Sequence, residues 1–347
     1  MNSKKSARVR NLEIGGSAPV RVQTMYDSHI VGVDCDKIVE RISLLSNMGC
    51  DLIRFSFVSK DDAPAFKEIC SRSVMPVVAD IHFDYKMALL ALDCGADKIR
   101  INPGNIGARW KTEEVVRAAK DRGAAIRIGL NTGSLPKGHS GKSAVDLMVD
   151  TALSYIDDFE SWDFYNTVVS LKSSNIENSL AAARLFSAKA DYPFHLGITE
   201  AGSAVTSAVR STWALGTLLK EGIGDTLRIS INGSIEDEVI AGVEILRTLG
   251  LREDGVRIVA CPRCGRHSFD SQAFLARTQN RLLSLKRNIT VAVMGCSVNG
   301  PGEAKAADFA VTGIGRKVFL YKKGELLMEV DEKDAEKALF EAIENER

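Results

Sequence analysis

The chain has 347 residues, 45% hydrophobic and 26% charged, which is long enough for two domains with large cores. Lysine plus arginine and aspartate plus glutamate balance at 45 each, so no overall charge selects nucleic acid or an anionic membrane. No apolar run approaches the ~20 residues that span a bilayer, and no apolar segment follows the basic start as a signal peptide requires. Seven cysteines are too few for a disulfide scaffold. We therefore expect a cytoplasmic protein whose clustered cysteines bind a metal or act in redox chemistry.

Short apolar segments typical of strands recur up to residue 231. They are VRVQTM (20–25), LIRFSF (52–57), PVVADI (76–81), KIRINP (98–103), AIRIGLN (125–131), TVVSLKSS (167–174), FHLGITE (194–200) and TLRISI (226–231). Segments with the helical spacing of apolar residues lie between them, such as 36–49 and 203–222. Eight strands alternating with helices predict an α/β fold of the TIM (β/α)8 barrel type, with a doubly wound open sheet as the alternative.

After residue 252 this alternation ends. The elements predicted there are strands at 256–261 and 289–295, a helix at 268–287, a glycine-punctuated β meander at 308–330, and an amphipathic helix over the last seventeen residues. We therefore predict two domains, a barrel at 1–251 and a small α+β domain at 252–347.

Polar residues stand at the ends of the predicted barrel strands, where the chemistry of such barrels collects. Because side chains alternate between the faces of a strand, Arg100 shares a face with Asn102 and opposes Ile101. Apolar residues such as Ile101 are expected on the strand face that the helices cover. The polar residues on the opposite face therefore point into the barrel interior. The residues predicted to bind substrate on this basis are Arg54, Arg100, Asn102, Arg127, Asn131, Lys172, Arg228 and Ser230.

Five of these residues are cations, and their convergence creates a repulsion that an anion would offset. Guanidinium groups match the geometry of phosphate oxygens, so we predict a substrate with several negative charges, most simply a diphosphate. The alternative is that each cation pairs with a local acid such as Asp51, Asp80 or Asp97.

The cysteines fall into two sets. Those of the predicted barrel, Cys35, Cys50, Cys70 and Cys94, are scattered along helices or their ends, which is typical of small buried apolar residues. In the second set, Cys261 and Cys264 have C-x-x-C spacing just after a predicted strand, and Cys296 follows the next strand between a glycine and a serine. Three thiolates at neighbouring strand ends indicate a metal site or a redox centre.

The residues leave open what completes this site. A Cys3His zinc site with His267 is one interpretation, and a dithiol redox pair at Cys261 and Cys264 is a second. An iron–sulfur cluster on three thiolates is the third, with Glu303 as a weaker oxygen ligand that a substrate oxygen could displace. A thiolate would bind the fourth iron too strongly to leave.

Six motifs together carry a family resemblance. They are RINPGN (100–105), RIGLNTGSL (127–135), GITEAG (197–202), KEGIGDTLRISI (220–231), ACPRCGR (260–266) and GCSVNGPGEA (295–304). In this order and spacing the sequence resembles the 4-hydroxy-3-methylbut-2-enyl diphosphate synthase family of the non-mevalonate isoprenoid pathway. The resemblance implies a barrel followed by a small iron–sulfur domain. It further implies a [4Fe–4S] cluster on Cys261, Cys264 and Cys296, with Glu303 on the fourth iron.

The resemblance also implies the reaction. It is the reductive ring opening of 2-C-methyl-D-erythritol 2,4-cyclodiphosphate with loss of water, with two electrons supplied by flavodoxin or ferredoxin. Among the residues, Glu200 is our candidate proton donor for the departing hydroxyl, because it is an acid at a strand end amid cations. A salt bridge from Glu200 to Arg228 or Lys172 is the alternative. His82 and His195 are weaker candidates for proton or hydrogen-bond roles.

Chain topology leads to an expectation about assembly. The last barrel helix, predicted at about 235–249, runs back from the mouth, so it ends roughly 20 Å away at the opposite end. The second domain begins within a few residues and cannot easily reach its own mouth. We therefore predict a head-to-tail homodimer in which the cluster of one subunit caps the barrel of the other.

Two other classes of function compete with this interpretation. One is a non-redox barrel enzyme, such as a pterin-type condensing enzyme, with a zinc-bearing second domain. The other is a binding module whose cysteine domain docks a partner, which leaves the inward-facing cations without a purpose.

Overall fold

A computed structural model describes residues 5–132, 141–199, 202–262, 264–296 and 305–346. The chain divides into two compact units, Met1–Arg252 and Glu253–Arg347, which are described separately below. In the described residues no helix is both long and apolar enough to cross a membrane.

The first unit consists of a hairpin and an alternating β/α array. The hairpin strands are β1 Ser6–Val9 and β2 Leu12–Gly15, and the array contains β3 Arg21–Met25, β4 Leu52–Ser56, β5 Val77–Asp80, β6 Lys98–Ile101, β7 Ala125–Asn131, β8 Thr167–Lys172, β9 His195–Leu196 and β10 Thr226–Leu227. Its helices are α1 Cys35–Asn47, α2 Ala63–Arg72, α3 Tyr85–Asp93, α4 Pro103–Ile106, α5 Arg109–Arg122, α6 Ala144–Ser161, α7 Ile176–Lys189, α8 Ala204–Lys220 and α9 Ile235–Thr248.

The array closes into a barrel. Its strands are parallel, and they pair in the order β8-β7-β6-β5-β4-β3-β10-β9. A parallel bridge between Val169 and Phe194 joins the two ends of this order. The predicted (β/α)8 barrel is therefore confirmed, and the open doubly wound sheet is excluded.

The floor of the barrel lies at the amino-terminal ends of its strands. The hairpin of β1 and β2 packs Ala7, Val9 and Ile14 into this end. The apolar side chains that meet them are Leu52, Val78, Ala125 and Val168. The sequence interpretation missed this hairpin, although buried Ala7 and Val9 alternate with exposed neighbours and Arg10 takes a positive φ of 55° at the turn.

Serines set the starts of several barrel helices. The side chains of Ser143, Ser203 and Ser234 each accept a hydrogen bond from the amide three residues on, at the N-termini of α6, α8 and α9. These caps satisfy amides that have no partner inside the helix. The caps of α8 and α9 lie just beyond the carboxyl ends of β9 and β10, so they fix the loops around the barrel mouth.

The last two barrel strands are shorter than predicted. The segments 194–200 and 226–231 pair as strands only at His195–Leu196 and Thr226–Leu227. The amide of Ile231 donates to the Glu238 carboxylate at 3.2 Å. The Glu238 side chain of α9 therefore accepts the hydrogen bond that a carbonyl group of a neighbouring strand would accept in a longer strand.

The second unit is a mixed sheet with helices. Its strands, paired in chain order, are β11 Arg257–Ala260, β12 Thr290–Val293, β13 Phe309–Ile314, β14 Lys317–Lys322 and β15 Glu325–Asp331. Strands β11 to β13 are parallel, and β13 to β15 form the antiparallel meander. Helices α10 Ser271–Leu283 and α11 Ala335–Glu344 bury Phe274, Leu339 and Phe340 in its core. The predicted small α+β domain after the barrel is confirmed, and its terminal helix is shorter than predicted because β15 extends to Asp331.

Candidate active site

The carboxyl ends of the barrel strands enclose a polar cavity of about 230 Å³. Seven of the eight residues predicted to bind substrate line it, namely Arg54, Arg100, Arg127, Asn131, Lys172, Arg228 and Ser230. The side-chain alternation argued from the sequence thus agrees with the structure, because Arg100 and Arg127 are register partners on adjacent strands. All five predicted cations converge on this one small volume.

One carboxylate is shared by two of these arginines. Asp80 lies with its oxygens 3.4 Å from Arg100 Nη1 and 3.9 Å from Arg54 Nε. Burial alone would raise the Asp80 pKa, but Arg54 and Arg100 outweigh it, so the pKa is lowered. Asp80 is therefore a fixed negative charge that holds both guanidinium groups in place.

A second buried carboxylate fixes Arg228 from outside the barrel strands. Glu238 of α9 accepts from Arg228 Nη2 at 2.8 Å and from Arg228 Nε at 3.1 Å. It also accepts from the Thr24 hydroxyl at 2.6 Å. The other two acids considered from the sequence, Asp51 and Asp97, pair with Arg21 and Arg10 respectively, at the floor end. Among the described residues, two acids thus face five cavity cations.

The other two cavity cations, Arg127 and Lys172, have few partners in the described residues. Arg127 is 2% exposed, and its Nε and Nη1 have no hydrogen-bond partner in the described part of the chain. Burial first, and the neighbouring Arg54 second, hold the pKa of Arg127 well below its usual range. Burial first, and then Arg127 and Arg54, hold the pKa of Lys172 well below its usual range. Burial likewise lowers the Arg54 pKa to about 10. Unsatisfied buried donors of this kind indicate a site built to receive an anion.

Two glycines make room for these cations. A Cβ built on Gly197 would lie 2.5 Å from Lys172 Nζ, and one on Gly129 would collide with the Arg100 guanidinium. Both glycines occupy inward-facing positions, so the missing side chain leaves space for a charged group. The sequence interpretation did not single them out, although they lie within RIGLNTGSL and GITEAG.

Replacing Gly129 by alanine should displace Arg100 while leaving the barrel folded, because the collision is with the end of a flexible side chain. We expect kcat/KM to fall roughly 10- to 100-fold with little change in the thermal midpoint. Gly216→Ala is the matched control, because nothing lies within 4 Å of a Cβ there, inside α8. Equal kinetics for Gly129→Ala and wild type would contradict the proposed role of Arg100.

Asn102 is placed differently from the other predicted binding residues. Its side chain accepts from the Gly104 amide at 3.2 Å and caps α4, and it is not among the cavity-lining residues. His82 lines the cavity, whereas His195 is buried with Nδ1 2.7 Å from the Thr226 hydroxyl. Glu200 lies outside the described residues, and its neighbour Thr199 lines the cavity.

In the second unit, the cysteine segments leave neighbouring parallel strands. Ala260 of β11 is the register partner of Val293 of β12, so Cys261 and Cys296 follow adjacent strands at the same sheet edge. The Gly295 amide donates to Cys261 Sγ at 3.1 Å. Cys296 is buried, Cys261 is half-buried and Cys264 is exposed.

This arrangement fits a group bound by thiolates. Hydrogen bonds from amides to cysteine sulfurs are among the contacts that surround thiolate-bound iron–sulfur clusters. Within the described residues, no three His, Cys, Asp or Glu side chains are already arranged as a metal site. Glu303 and the rest of 297–304 lie outside them. His267 Nδ1 is 2.8 Å from the Cys264 carbonyl oxygen, which engages that nitrogen with the backbone.

The barrel cysteines have a different environment. Cys50, Cys70 and Cys94 are buried. Burial raises the pKa of Cys50 to about 12 and also raises that of Cys70 and Cys94. These thiols stay protonated, so they are poor metal ligands.

The fold and the cavity define a class: a (β/α)8 barrel with a cation-lined cavity, followed by a small domain with cysteines at a sheet edge. A family model described as the GcpE TIM-barrel domain matches residues 4–243, and one described as the GcpE protein C-terminal domain matches residues 257–345. The chain belongs to the GcpE family. The matches leave only 244–256 between them, so nothing is inserted between the two domains.

Curated relatives cover nearly the whole chain. One is the 4-hydroxy-3-methylbut-2-en-1-yl diphosphate synthase (flavodoxin) of Treponema denticola, 46% identical and covering 93% of this chain and 90% of the relative. The protein of the same name from Clostridium perfringens is 42% identical, covering 99% of both. The family resemblance predicted from the six motifs is therefore confirmed.

Solved structures with the same barrel come from a different enzyme. The 7,8-dihydropteroate synthase from Vibrio fischeri ES114 has a TM-score of 0.51 at 12% identity, covering 71% of this chain and 98% of that one. The Yersinia pestis dihydropteroate synthase has a TM-score of 0.50 at 13% identity, with coverage of 72% and 100%. At such identity the likeness shows the barrel fold alone.

Proposed function

We propose that this chain is a 4-hydroxy-3-methylbut-2-enyl diphosphate synthase. It opens the ring of 2-C-methyl-D-erythritol 2,4-cyclodiphosphate, taking up two electrons and two protons and releasing one water. The observation that carries the proposal is the excess of cations over acids around the barrel cavity. Relatives more than 40% identical over nearly the whole chain bear this enzyme's name, which supports the reaction.

The cavity residues hold the diphosphate. Arg54 and Arg100 are oriented by Asp80, and Arg228 is oriented by Glu238, so these guanidinium groups need little rearrangement to meet phosphate oxygens. Arg127 offers donors that have no protein partner in the described residues. Preorganised cations of this kind bind the phosphates and fix the sugar carbons relative to the reducing centre.

The proposed reducing centre is a [4Fe–4S] cluster held by Cys261, Cys264 and Cys296, with Glu303 at the fourth iron. When bound, the cluster supplies electrons one at a time for cleavage of a C–O bond. The adjacent strand ends that carry Cys261 and Cys296, and the Gly295 amide on Cys261 Sγ, support this ligand set. A carboxylate at residue 303 gives a ligand that substrate can displace more readily than a thiolate.

Glu200 is the proposed proton donor to the departing hydroxyl oxygen. Its sequence neighbour Thr199 lines the cavity, and Glu200 itself lies outside the described residues. A proton donor has to regain its proton between turnovers. His82, which also lines the cavity, is a candidate relay for that return.

The electron donor is proposed to be flavodoxin, as the relatives' names indicate, with ferredoxin as the alternative. We also propose a cytoplasmic location. Reduced thiols for cluster binding and a reduced flavoprotein donor both belong to a reducing compartment.

We propose that the enzyme works as a head-to-tail homodimer. At the end of the barrel unit Arg252 donates to the Gly49 carbonyl at 2.8 Å and lies 3.5 Å from Asp51, just before β4 begins. The chain therefore leaves the barrel at its floor, opposite the cavity. This exit supports completion of each active site by the cluster of the partner subunit.

An apolar stripe on α8 supports such a contact. Val205, Val209 and Trp213 recur every four residues and are 75%, 65% and 61% exposed. They occupy the first turns of α8, near the rim of the barrel mouth. A domain of the partner that caps the mouth would cover this stripe.

Trp213→Asp should convert the dimer to monomers and sharply reduce turnover, because it places a charge in the proposed contact. Sedimentation velocity and steady-state assays on the same preparation measure both effects. Val74→Asp is the control, since Val74 is also exposed, at 63%, but lies between α2 and β5, at the floor end of the barrel. A monomeric variant with wild-type turnover would contradict the assembly proposal.

Anaerobic purification tests the proposed function against its alternative. We expect brown protein whose broad visible absorbance bleaches on reduction, with about four iron and four sulfide per chain. Colourless protein with one zinc per chain would instead support a non-redox barrel enzyme with a structural metal.

A further inference from the structure

Lys98 is a buried basic residue beneath the active-site cavity that the proposed reaction does not use. It begins β6, shares a strand face with cavity-lining Arg100, and pairs in register with Val78 and Ala125 of the floor cluster, so it faces the barrel interior. The residue is 0% exposed, and its Nζ has no hydrogen-bond partner among the described residues. Lysine is rarely buried in this way without a role.

Other unpartnered polar atoms share the barrel interior with Lys98. Both polar side-chain atoms of Gln23 and the Nε2 of His195 are buried and lack a partner in the described residues. Gln23 pairs in register with inward-facing Leu52, and His195 is held by the Thr226 hydroxyl. Lys98 acts electrostatically on His195, so these two side chains share a buried polar layer below the cavity.

Seven of the eight barrel strands, or the residues directly after them, carry the charged or titratable groups that face this layer. Those groups are Arg54 of β4, Asp80 of β5, Arg100 of β6, Arg127 of β7, Lys172 of β8, His195 of β9 and Arg228 directly after β10. Arginines keep their charge at any physiological pH, so the excess positive charge can be relieved only at amines and imidazole. Burial first, and then Arg127 and Arg54, hold the pKa of Lys98 well below its usual range.

We propose that Lys98 is a positioning residue whose charge adjusts to the substrate: binding of the cyclic diphosphate draws a proton from solvent onto its amine. The anion offsets the repulsion from Arg127 and Arg54, so the Lys98 amine is protonated more readily in the complex than in the free protein. No bond other than the new N–H is formed, and the buffer supplies the proton. The ammonium then adds its attraction for the phosphates without touching them. This inference rests on the proposed function, because it requires a diphosphate in the cavity.

The pH dependence follows from the direction of the shift. The pKa of Lys98 is lower in the free protein than in the complex, so protons are taken up only between these two values. Below the free-state pKa the amine is already charged, and above the bound-state pKa it stays neutral. Affinity should therefore fall as pH rises through this window.

Isothermal titration calorimetry measures the proton uptake directly. The oxidised, cluster-loaded protein is titrated with 2-C-methyl-D-erythritol 2,4-cyclodiphosphate at several pH values, in buffers that differ in ionisation enthalpy. Between the free-state and bound-state pKa values of Lys98, Lys98→Met should take up fewer protons than wild type on binding. We expect the difference to be about half a proton or more per bound ligand. The affinity of Lys98→Met should fall about tenfold and depend less on pH. Lys98→Arg keeps a fixed positive charge, so it should bind the cyclic diphosphate with the same reduced proton uptake as Lys98→Met.

Matched controls separate this role from a structural one. Lys67→Met, at an exposed position on α2, should keep wild-type uptake. Lys98→Met should raise the thermal midpoint, because it removes an unpartnered buried amine. Wild-type uptake in either Lys98→Met or Lys98→Arg would overturn the inference and leave the proposed function intact. Failure of wild type to bind the cyclic diphosphate would instead overturn the proposed function itself.

Discussion

Cys264→Ser should abolish cluster assembly and activity. Cys264 is the exposed member of the set Cys261, Cys264 and Cys296, so its sulfur is accessible to a cluster that forms at the sheet edge. Loss of a neighbour that only supports a ligand typically costs 10- to 100-fold, so loss of a ligand should reduce kcat by roughly 100-fold or more. Iron and sulfide content per chain and the anaerobic turnover rate are the measurements.

Two further variants make this result specific. Cys35→Ser, at a half-buried cysteine of α1, should keep full iron content and turnover. Glu303→Ala should retain more iron than Cys264→Ser while losing turnover, because an exchangeable ligand matters less for assembly. Equal iron loss in Glu303→Ala and Cys264→Ser would contradict the exchangeable role of Glu303.

Arg127→Met should move binding and stability in opposite directions. Arg127 is buried, and two of its nitrogens have no partner in the described residues. Its guanidinium therefore destabilises the barrel without ligand and is available to bind the anion. We expect the affinity for the cyclic diphosphate to fall about 100-fold, as for loss of charge-assisted hydrogen bonds. The free energy of unfolding should rise by about 1 to 4 kcal/mol.

Calorimetric binding and denaturant unfolding of one preparation measure both quantities. Arg117→Met is the matched control on α5, where Arg117 is exposed and pairs with Glu113. It should leave affinity unchanged and shift stability by no more than about 0.5 kcal/mol. An Arg127→Met protein that is less stable than wild type would show that Arg127 stabilises the barrel fold, which contradicts its role as an unpartnered anion-binding group.

The barrel and most of its cavity follow from patterns that the sequence displays. Eight strand segments alternate with amphipathic ones, and inward arginines alternate with outward isoleucines. Since the side-chain period of a strand is two, the position of Ile101 determines where Arg100 points. The cysteine spacing likewise predicts neighbouring thiolates, because parallel strands end at the same edge.

What the sequence did not reveal depends on long-range contacts. Glu238 lies on α9, ten residues after Arg228, and nothing local marks it as the carboxylate that orients that arginine. Asn102 has the right strand parity for the cavity, but a helix N-terminus takes its side chain. Lys98 carried a usable signal, because it shares a strand face with Arg100 in an otherwise apolar segment.

Conversion of the cyclic diphosphate by reduced, anaerobic protein tests the central claim most directly. Iron-replete and iron-free samples are mixed with 2-C-methyl-D-erythritol 2,4-cyclodiphosphate and a chemical reductant, and the phosphorus NMR spectrum is followed. We predict that only the iron-replete sample replaces the cyclic signals with those of a linear diphosphate ester. Unchanged substrate in the iron-replete sample, or equal conversion without iron, would contradict the account.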